Sequence, residues 1–219
     1  MQLHSQLRLT GLRYQSLSKE SACFVGAMIA IRYQMEISNL SIPGVKRIAP
    51  VLLRDQRGYF AETYNRAMLR DAGIDQVFDR DNISLSILPG TVRGLHFQAQ
   101  PHALAKLVRV QQGRIFDVAV DIRHGSPTFG HHVSIELDAA SGHQIYVPPG
   151  FAHGFCTLEP DTIVAYKVSG DFVPALDLGI AWNDPVLAID WPIASDHAIT
   201  SDRDKHLPRL ADTPVYFRF

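Results

Sequence analysis

The chain has 219 residues, 46% hydrophobic and 20% charged, which is enough apolar material for a buried core and suits one domain with or without decoration. Its formal net charge is -1, so no global basic field recruits nucleic acid, and any anionic ligand must be met by local arginines and lysines. Two distant cysteines, Cys23 and Cys156, do not make a disulfide framework and fit a reduced, cytoplasmic setting.

Residues 1–34 differ from the rest, with no clear period and no turn punctuation. Their longest apolar run, "ACFVGAMIAI" at 22–31, is shorter than the ~20 residues needed to span a bilayer. It also lies behind Lys19 and Glu20, too far from Met1 for a usual signal peptide. No membrane segment and no export signal are read. Two readings of 1–34 fit: an extension upstream of a natural start at Met35, or a helical arm packed on the domain.

From residue 36 onward, short segments rich in Val, Ile, Leu, Phe and Tyr predict strands near 47–53, 78–85, 105–111, 114–122, 131–137, 143–147 and 162–168. Gly, Pro, Asp and Ser clusters bound them. "NRAMLRDAG" at 65–73 predicts the one short helix of the body, ended by Gly73. "QQGR" at 111–114 and "DAASG" at 138–142 read as hairpin turns. The Pro- and Asp-rich part from Trp182 is expected to wrap the strands, with a short helical turn. The fold class is all-β, a jelly-roll barrel or sandwich with a few short helices, as a single domain over 35–219.

A small barrel holds a ligand at its mouth, so polar residues inside apolar strands are the informative ones. They are Arg93 and His96, Lys106 and Arg109, Asp117 and Asp121, His153, and Tyr166 and Lys167. In a regular strand Arg93 and His96 face opposite sides; a bulge at Gly94 turns both inward. Lys106 alone reads more readily as an outward-facing lysine, and Asp117 and Asp121 as solvent-facing or paired with arginines. Tyr166 shares strand parity with Val164, where core residues point.

"PPGFAH" at 148–153 fits the P-x-G-x-x-H element of the cupin barrels, many of which bind a metal through an H-x-H pair, a Glu and that later His. Here Phe97 and Gln98 follow His96, so the second ligand of the pair is missing, and two histidines make a poor metal site. The reading is a cupin-type barrel without metal. A pocket of His, Lys, Tyr and Arg suits proton transfer beside a carbonyl: His takes a proton from carbon, a cation stabilises the enolate, and Tyr returns a proton.

The segments "DQRGYFAETYN", "RDNIS", "GTVRGLHFQ", "AKLVRVQQGRIFDVAVDIRHGSPTFG", "VPPGFAHGFCTLEPDTIVAYK", "IAWNDP" and "SDRDKHLP" strongly resemble the dTDP-4-dehydrorhamnose 3,5-epimerases, from about residue 40 to 212. The resemblance implies His96 as catalytic base, Asp204 as the acid orienting it, Tyr166 as proton donor and Lys106 beside the C4 carbonyl. It implies sugar and diphosphate contacts for Arg93 and His153, and substrate contacts for Asp177 and Arg203. Arg57, Phe60 and Glu62 are implied to reach the nucleotide across a homodimer, Asp81 and Asn82 to contact it, and Phe172 to stack on thymine. The expected activity is epimerisation at C3 and C5 of dTDP-4-dehydro-6-deoxy-D-glucose, with no cofactor, towards L-rhamnose. Rivals are a single-site epimerase, a non-catalytic sugar-binding cupin and a metal-dependent cupin oxygenase. Arg80 stands where the family often has Gln, Phe172 for Tyr, and Arg203 for Lys.

Overall fold

A computed structural model describes residues 35–219 of the chain, which form one compact unit. The readings of 1–34, and Cys23 with them, lie outside the described residues. Among the described residues fifteen strands, numbered in chain order, build two large sheets and two small ones. The six-stranded sheet runs β1 (Glu36–Asn39), β2 (Lys46–Ala49), β11 (Gln144–Val147), β7 (Lys106–Gln112), β13 (Thr162–Ser169), β5 (Phe78–Ser86). The five-stranded sheet runs β10 (His132–Asp138), β8 (Arg114–Asp121), β12 (Phe151–Thr157), β6 (Val92–Gln98), β14 (Asp177–Gly179). Every pairing within these two is antiparallel. A hairpin of β3 (Leu53–Asp55) and β4 (Gly58–Phe60) stands apart, and β9 (Arg123–His124) pairs in parallel with β15 (Phe217–Arg218).

Alternation along the strands assigns three apolar layers. Between the sheets, Val108, Val110, Ile145 and Val164 of the first meet Ile115, Ala119, Val133 and Phe155 of the second. The opposite parity of the five-stranded sheet, including Val118, Val120, Ala152 and Cys156, packs against Trp182, Leu187, Leu210 and Phe217 of the C-terminal part. The outer parity of the six-stranded sheet, Ile48, Leu107 and Tyr146, is covered by Leu69 and Ile74. Leu69 belongs to the helix α1 (Arg66–Asp71), whose N-cap Asn65 accepts hydrogen bonds from the amides of Ala67 and Met68. Covered on both faces, β12 is buried along its whole length. The fold is the cupin-type jelly roll, and the C-terminal part wraps it as expected.

The two turns read as hairpins are not hairpins. The turn at 111–114 joins β7 to β8, and that at 138–142 joins β10 to β11, in each case strands of different sheets. Turn chemistry is local, and Gly113 (φ +79°) and Gly142 (φ +66°) satisfy it equally at a corner between sheets. What separates a corner from a hairpin is which strand each partner finds: β7 lies between β11 and β13, and β8 between β10 and β12.

The bulge does occur. Arg93 stands opposite Phe155 and His96 opposite His153, so Gly94 and Leu95 share the single partner Gly154. Gly94 has φ +135°, and a Cβ there would fall 2.6 Å from the Gly154 Cα and 2.9 Å from the His153 carbonyl oxygen. The extra residue brings Arg93 and His96 to the same face.

At the end of β8, Asp121 is fully buried and holds Arg123 through Nε at 2.8 Å and Nη2 at 2.7 Å, with the Ser126 hydroxyl at 2.6 Å and that of Thr128 at 2.7 Å. The Arg123 guanidinium lies over the rings of Phe151, at 4.7 Å, and Phe219, at 5.0 Å. Burial pushes the Asp121 carboxyl up, but Arg123 and the two hydroxyls outweigh it and hold it at about 2.

Gly94→Ala adds both left-handed strain and a backbone overlap, at a cost of at least ~2 kcal/mol, read as a lower denaturation midpoint; an unchanged midpoint would remove the close approach as a constraint. Because the folded pKa of Asp121 is depressed, its stabilisation is full above the unfolded value and is lost as pH falls towards about 2. Asp121→Asn is expected to cost about 2 kcal/mol at pH 7, with the difference from wild type shrinking as pH drops below about 4. Denaturant unfolding at both pH values checks it, and a pH-independent difference would exclude the ion pair as its source.

Candidate active site

A cavity of about 720 Å³ opens between the two sheets, within the range of small-molecule sites. Both sheets supply its polar walls. On the five-stranded sheet, β6 contributes Arg93 and His96, and β12 contributes His153. On the six-stranded sheet, β7 contributes Lys106, β13 Tyr166, and β5 Arg80, Asn82 and Ser84. Lys106 shares parity with Val108 and Val110, and Tyr166 with Val164, so both point between the sheets. The turn after β13 adds Phe172, β14 adds Asp177, and the helix α2 (Asp202–Lys205) adds Arg203 and Asp204.

His96 Nε2 and Asp204 Oδ1 are 2.6 Å apart, and Asp204 is 4% exposed. Burial raises the Asp204 carboxyl, but its hydrogen bond to His96 and the Gly94 amide, 3.2 Å from Oδ2, hold it below the usual carboxylate range. An ionised carboxylate only accepts, so Nε2 carries the proton of this bond, and in the neutral imidazole Nδ1 is the basic nitrogen. Ser201 caps α2 by accepting the Asp204 amide at 3.1 Å, which sets the carboxylate at the first turn.

His153 forms a second pair, with Nε2 at 2.9 Å and 3.0 Å from the Asp117 carboxylate oxygens. Both groups are buried, and desolvation pulls the His153 pKa down against the pull of Asp117. Lys106 Nζ donates to the His96 carbonyl at 3.1 Å. Its removal from water lowers its pKa to about 8, despite Asp177 and Asp117 nearby. Burial raises the Tyr166 phenol above its ordinary value. Arg93 reaches back to β5, donating to the Ser86 hydroxyl at 3.1 Å and the Leu85 carbonyl at 2.9 Å. Arg203 Nη1 meets Asp177 Oδ2 at 2.6 Å.

The structure thus brings together His96, Asp204, Lys106, Tyr166, Arg93, His153, Asn82, Phe172, Asp177 and Arg203. It leaves Arg57, Phe60, Glu62 and Asp81 outside the cavity wall of this chain. Arg57 is paired with Asp55 at 2.5 Å, Glu62 accepts from Asn65 at 3.0 Å, Asp81 pairs with Lys167 at 2.6 Å, and Phe60 is exposed on β4. Asp117, read from the sequence as solvent-facing or paired with an arginine, is instead buried and paired with His153, and its inward parity with Ile115 and Ala119 carried the signal. Gln98 carried none, because its partners Asp171 and Val173 are more than seventy residues away in the chain. Gln98 donates to the carbonyls of His102 and Asp171 and accepts from the Val173 amide. Among the described residues no group of three or more His, Cys, Asp or Glu is arranged to hold a metal ion.

The family model for dTDP-4-dehydrorhamnose 3,5-epimerase matches residues 39–212. An enzyme of that name from Sinorhizobium fredii is 46% identical over 186 residues, covering 85% of this chain and 95% of the relative. A crystal structure of the Bacillus anthracis enzyme with TDP and PPi bound has a TM-score of 0.78 at 46% identity, covering 80% of this chain and 99% of that one. The Legionella pneumophila dTDP-6-deoxy-D-glucose-3,5-epimerase, in complex with dTDP-4-keto-L-rhamnose, has a TM-score of 0.81 at 39% identity, covering 85% and 99%. With 174 consecutive residues matched and the cavity lined by residues that carry its motifs, the chain belongs to the dTDP-4-dehydrorhamnose 3,5-epimerase family.

Proposed function

We propose that this chain epimerises dTDP-4-dehydro-6-deoxy-D-glucose at C3 and C5 to dTDP-4-dehydro-L-rhamnose, with the His96–Asp204 pair as base and Tyr166 as acid. The observation that carries the assignment is the placement of those groups on opposite walls. His96 stands on the five-stranded sheet and Tyr166 on the six-stranded sheet, with the cavity between them.

C3 and C5 both flank the C4 ketone, so each carries an acidic C–H. His96 Nδ1 takes that proton, the electron pair moves into the ring, and negative charge collects on O4. Asp204 stabilises the imidazolium that forms. Lys106, still cationic at pH 7 with its pKa at about 8, faces the enolate oxygen. Tyr166 keeps its proton at neutral pH because burial raises its pKa, and gives it to the other face of the ring. The reaction moves protons only, so no electron carrier enters the balance. The neutral His153 and the cations Arg93 and Arg203 suit the sugar hydroxyls and the diphosphate.

A homodimer is part of the same reading. The outward side of the edge strand β5 carries Ile83 (66% exposed) and Leu85 (52%), continued by Ile87 (66%), an apolar strip on an unpaired edge. A second copy docked there covers the strip and brings its Arg57, Phe60 and Glu62 towards the nucleotide. The catalytic domain is residues 35–219, and the enzyme is cytoplasmic, where its sugar nucleotide is made. No described helix is long and apolar enough to cross a membrane.

Two experiments test this. In D₂O, wild type is expected to place deuterium at both C3 and C5, and His96→Ala to lose exchange at both. Tyr166→Phe keeps the base, so exchange persists while inversion falls by roughly 10²-fold or more, most clearly at C5. Equal losses of exchange and inversion would remove Tyr166 from the donor role. A chain beginning at Met35 is expected to sediment as a dimer and turn over normally, and Ile83→Lys with Leu85→Lys to sediment as a monomer with weakened nucleotide binding. A dimer persisting in the double variant would move the interface elsewhere.

A further inference from the structure

The turn of residues 170–173 presents the Phe172 ring at the cavity wall, 53% exposed. An exposed ring on a short connection is ordinarily free to move. This one sits on a backbone fixed from three sides. The Gly170 amide donates to Asp79 Oδ1 at 3.0 Å, and the Gly170 carbonyl accepts Arg80 Nε at 2.8 Å. On the far side, the Asp171 carbonyl accepts Gln98 Nε2 at 2.9 Å, and the Val173 amide donates to Gln98 Oε1 at 2.9 Å. Among these partners Gln98 alone grips the residues on both sides of Phe172. Its side-chain amide is 5% exposed and otherwise engaged only with the His102 carbonyl.

We propose that Gln98 is a positioning residue that locks the 170–173 turn so that the Phe172 ring is held ready for the nucleobase. The inference rests on the nucleotide-binding function proposed above and adds what makes the stacking platform rigid. Gln98 stands two residues after His96 on β6, opposite Asp177. One strand therefore carries the base at one position and the hold on the nucleobase platform at the next residue but one. A platform already ordered loses less conformational freedom when the base stacks on it, so the gain appears as affinity. The amide is suited to the task because it supplies an acceptor and a donor at fixed separation, matching an amide and a carbonyl two residues apart. It also explains the H-x-Q pattern at 96–98: the position that holds a second histidine in metal-binding cupins holds a backbone clamp here.

The test uses dTDP as probe, with its affinity measured by calorimetry, beside steady-state kinetics on the full sugar nucleotide. Gln98→Met keeps the length of the side chain and removes its hydrogen bonds. Its dTDP affinity is expected to fall roughly tenfold, inside the range for losing one base–aromatic stack. KM rises in parallel, kcat falls by no more than about twofold, and the pH profile of kcat keeps its shape because His96 and Asp204 are untouched. Phe172→Ala weakens dTDP at least as much, and the double variant binds no more than about twofold worse than Phe172→Ala alone. Wild-type affinity in Gln98→Met, with Phe172→Ala weakened, overturns the proposal and leaves the functional reading standing. Wild-type affinity in Phe172→Ala removes the nucleobase from Phe172, and the proposal with it. A fall in kcat at unchanged dTDP affinity assigns Gln98 to the support of His96 and overturns the proposal. Should Gln98→Met fail to fold, Gln98→Glu keeps the shape and the acceptor and removes the donor to the Asp171 carbonyl, and an unchanged dTDP affinity in that variant is equally fatal.

Discussion

The hydrogen bond between His96 and Asp204, 2.6 Å long, joins residues 108 positions apart, and most of the structure is arranged around making it. The histidine faces the cavity only because the Gly94 bulge shifts the register of β6 by one residue. The carboxylate reaches it only because the C-terminal part crosses the outer face of the five-stranded sheet and starts α2 beside β6. That crossing is held by apolar contact, with Trp182, Leu210 and Phe217 in one cluster with Val92 and Phe97. The Gly94 amide links the two conditions, since the bulge glycine itself donates to the acid.

Desolvation then sets the states of the cavity groups. His153, buried against Asp117, is driven towards neutrality. Lys106 has lost enough hydration to bring its pKa to about 8, still on the cationic side of neutral. Tyr166 moves the other way, because burial opposes the phenolate. One physical effect, removal of water from the charged form, leaves a lysine able to hold an enolate and a tyrosine able to give a proton.

Much of this was legible in the sequence. Strand-forming segments placed β5, β7, β8 and β13 nearly where they lie, and the 65–73 segment ended by Gly73 located α1. The polar interruptions of the apolar strands named Arg93, His96, Lys106, His153 and Tyr166 of the cavity wall, and the family resemblance supplied Asn82, Phe172, Asp177, Arg203 and Asp204. Two things were not legible. Turn residues report the local backbone and not the partner strand, so the corners at Gly113 and Gly142 read as hairpins. Gln98, which acts through the Asp171 carbonyl and the Val173 amide, has an ordinary side chain whose partners are fixed only by tertiary packing. Asp117 lies between these cases: its parity pointed inward, but only the register of β12 on β8, Phe155 beside Asp117, brings His153 within reach.

The positions that depart from the family pattern take on physical sense in this arrangement. Arg203 donates from one nitrogen to the Asp177 carboxylate at 2.6 Å and from the other to the Asp177 carbonyl at 2.9 Å. A lysine is a single point charge and cannot span both acceptors with one fixed geometry. The fork ties α2, immediately before Asp204, to β14, which is hydrogen-bonded to β6 opposite the His96–Gln98 segment. Arg80 does the same on the other wall, where its Nε holds the Gly170 carbonyl at the start of the Phe172 turn. Each guanidinium thus stiffens a part of the cavity that otherwise depends on a connection, and each keeps positive charge at the wall. Both guanidiniums hold connecting backbone at the cavity wall in place through hydrogen bonds.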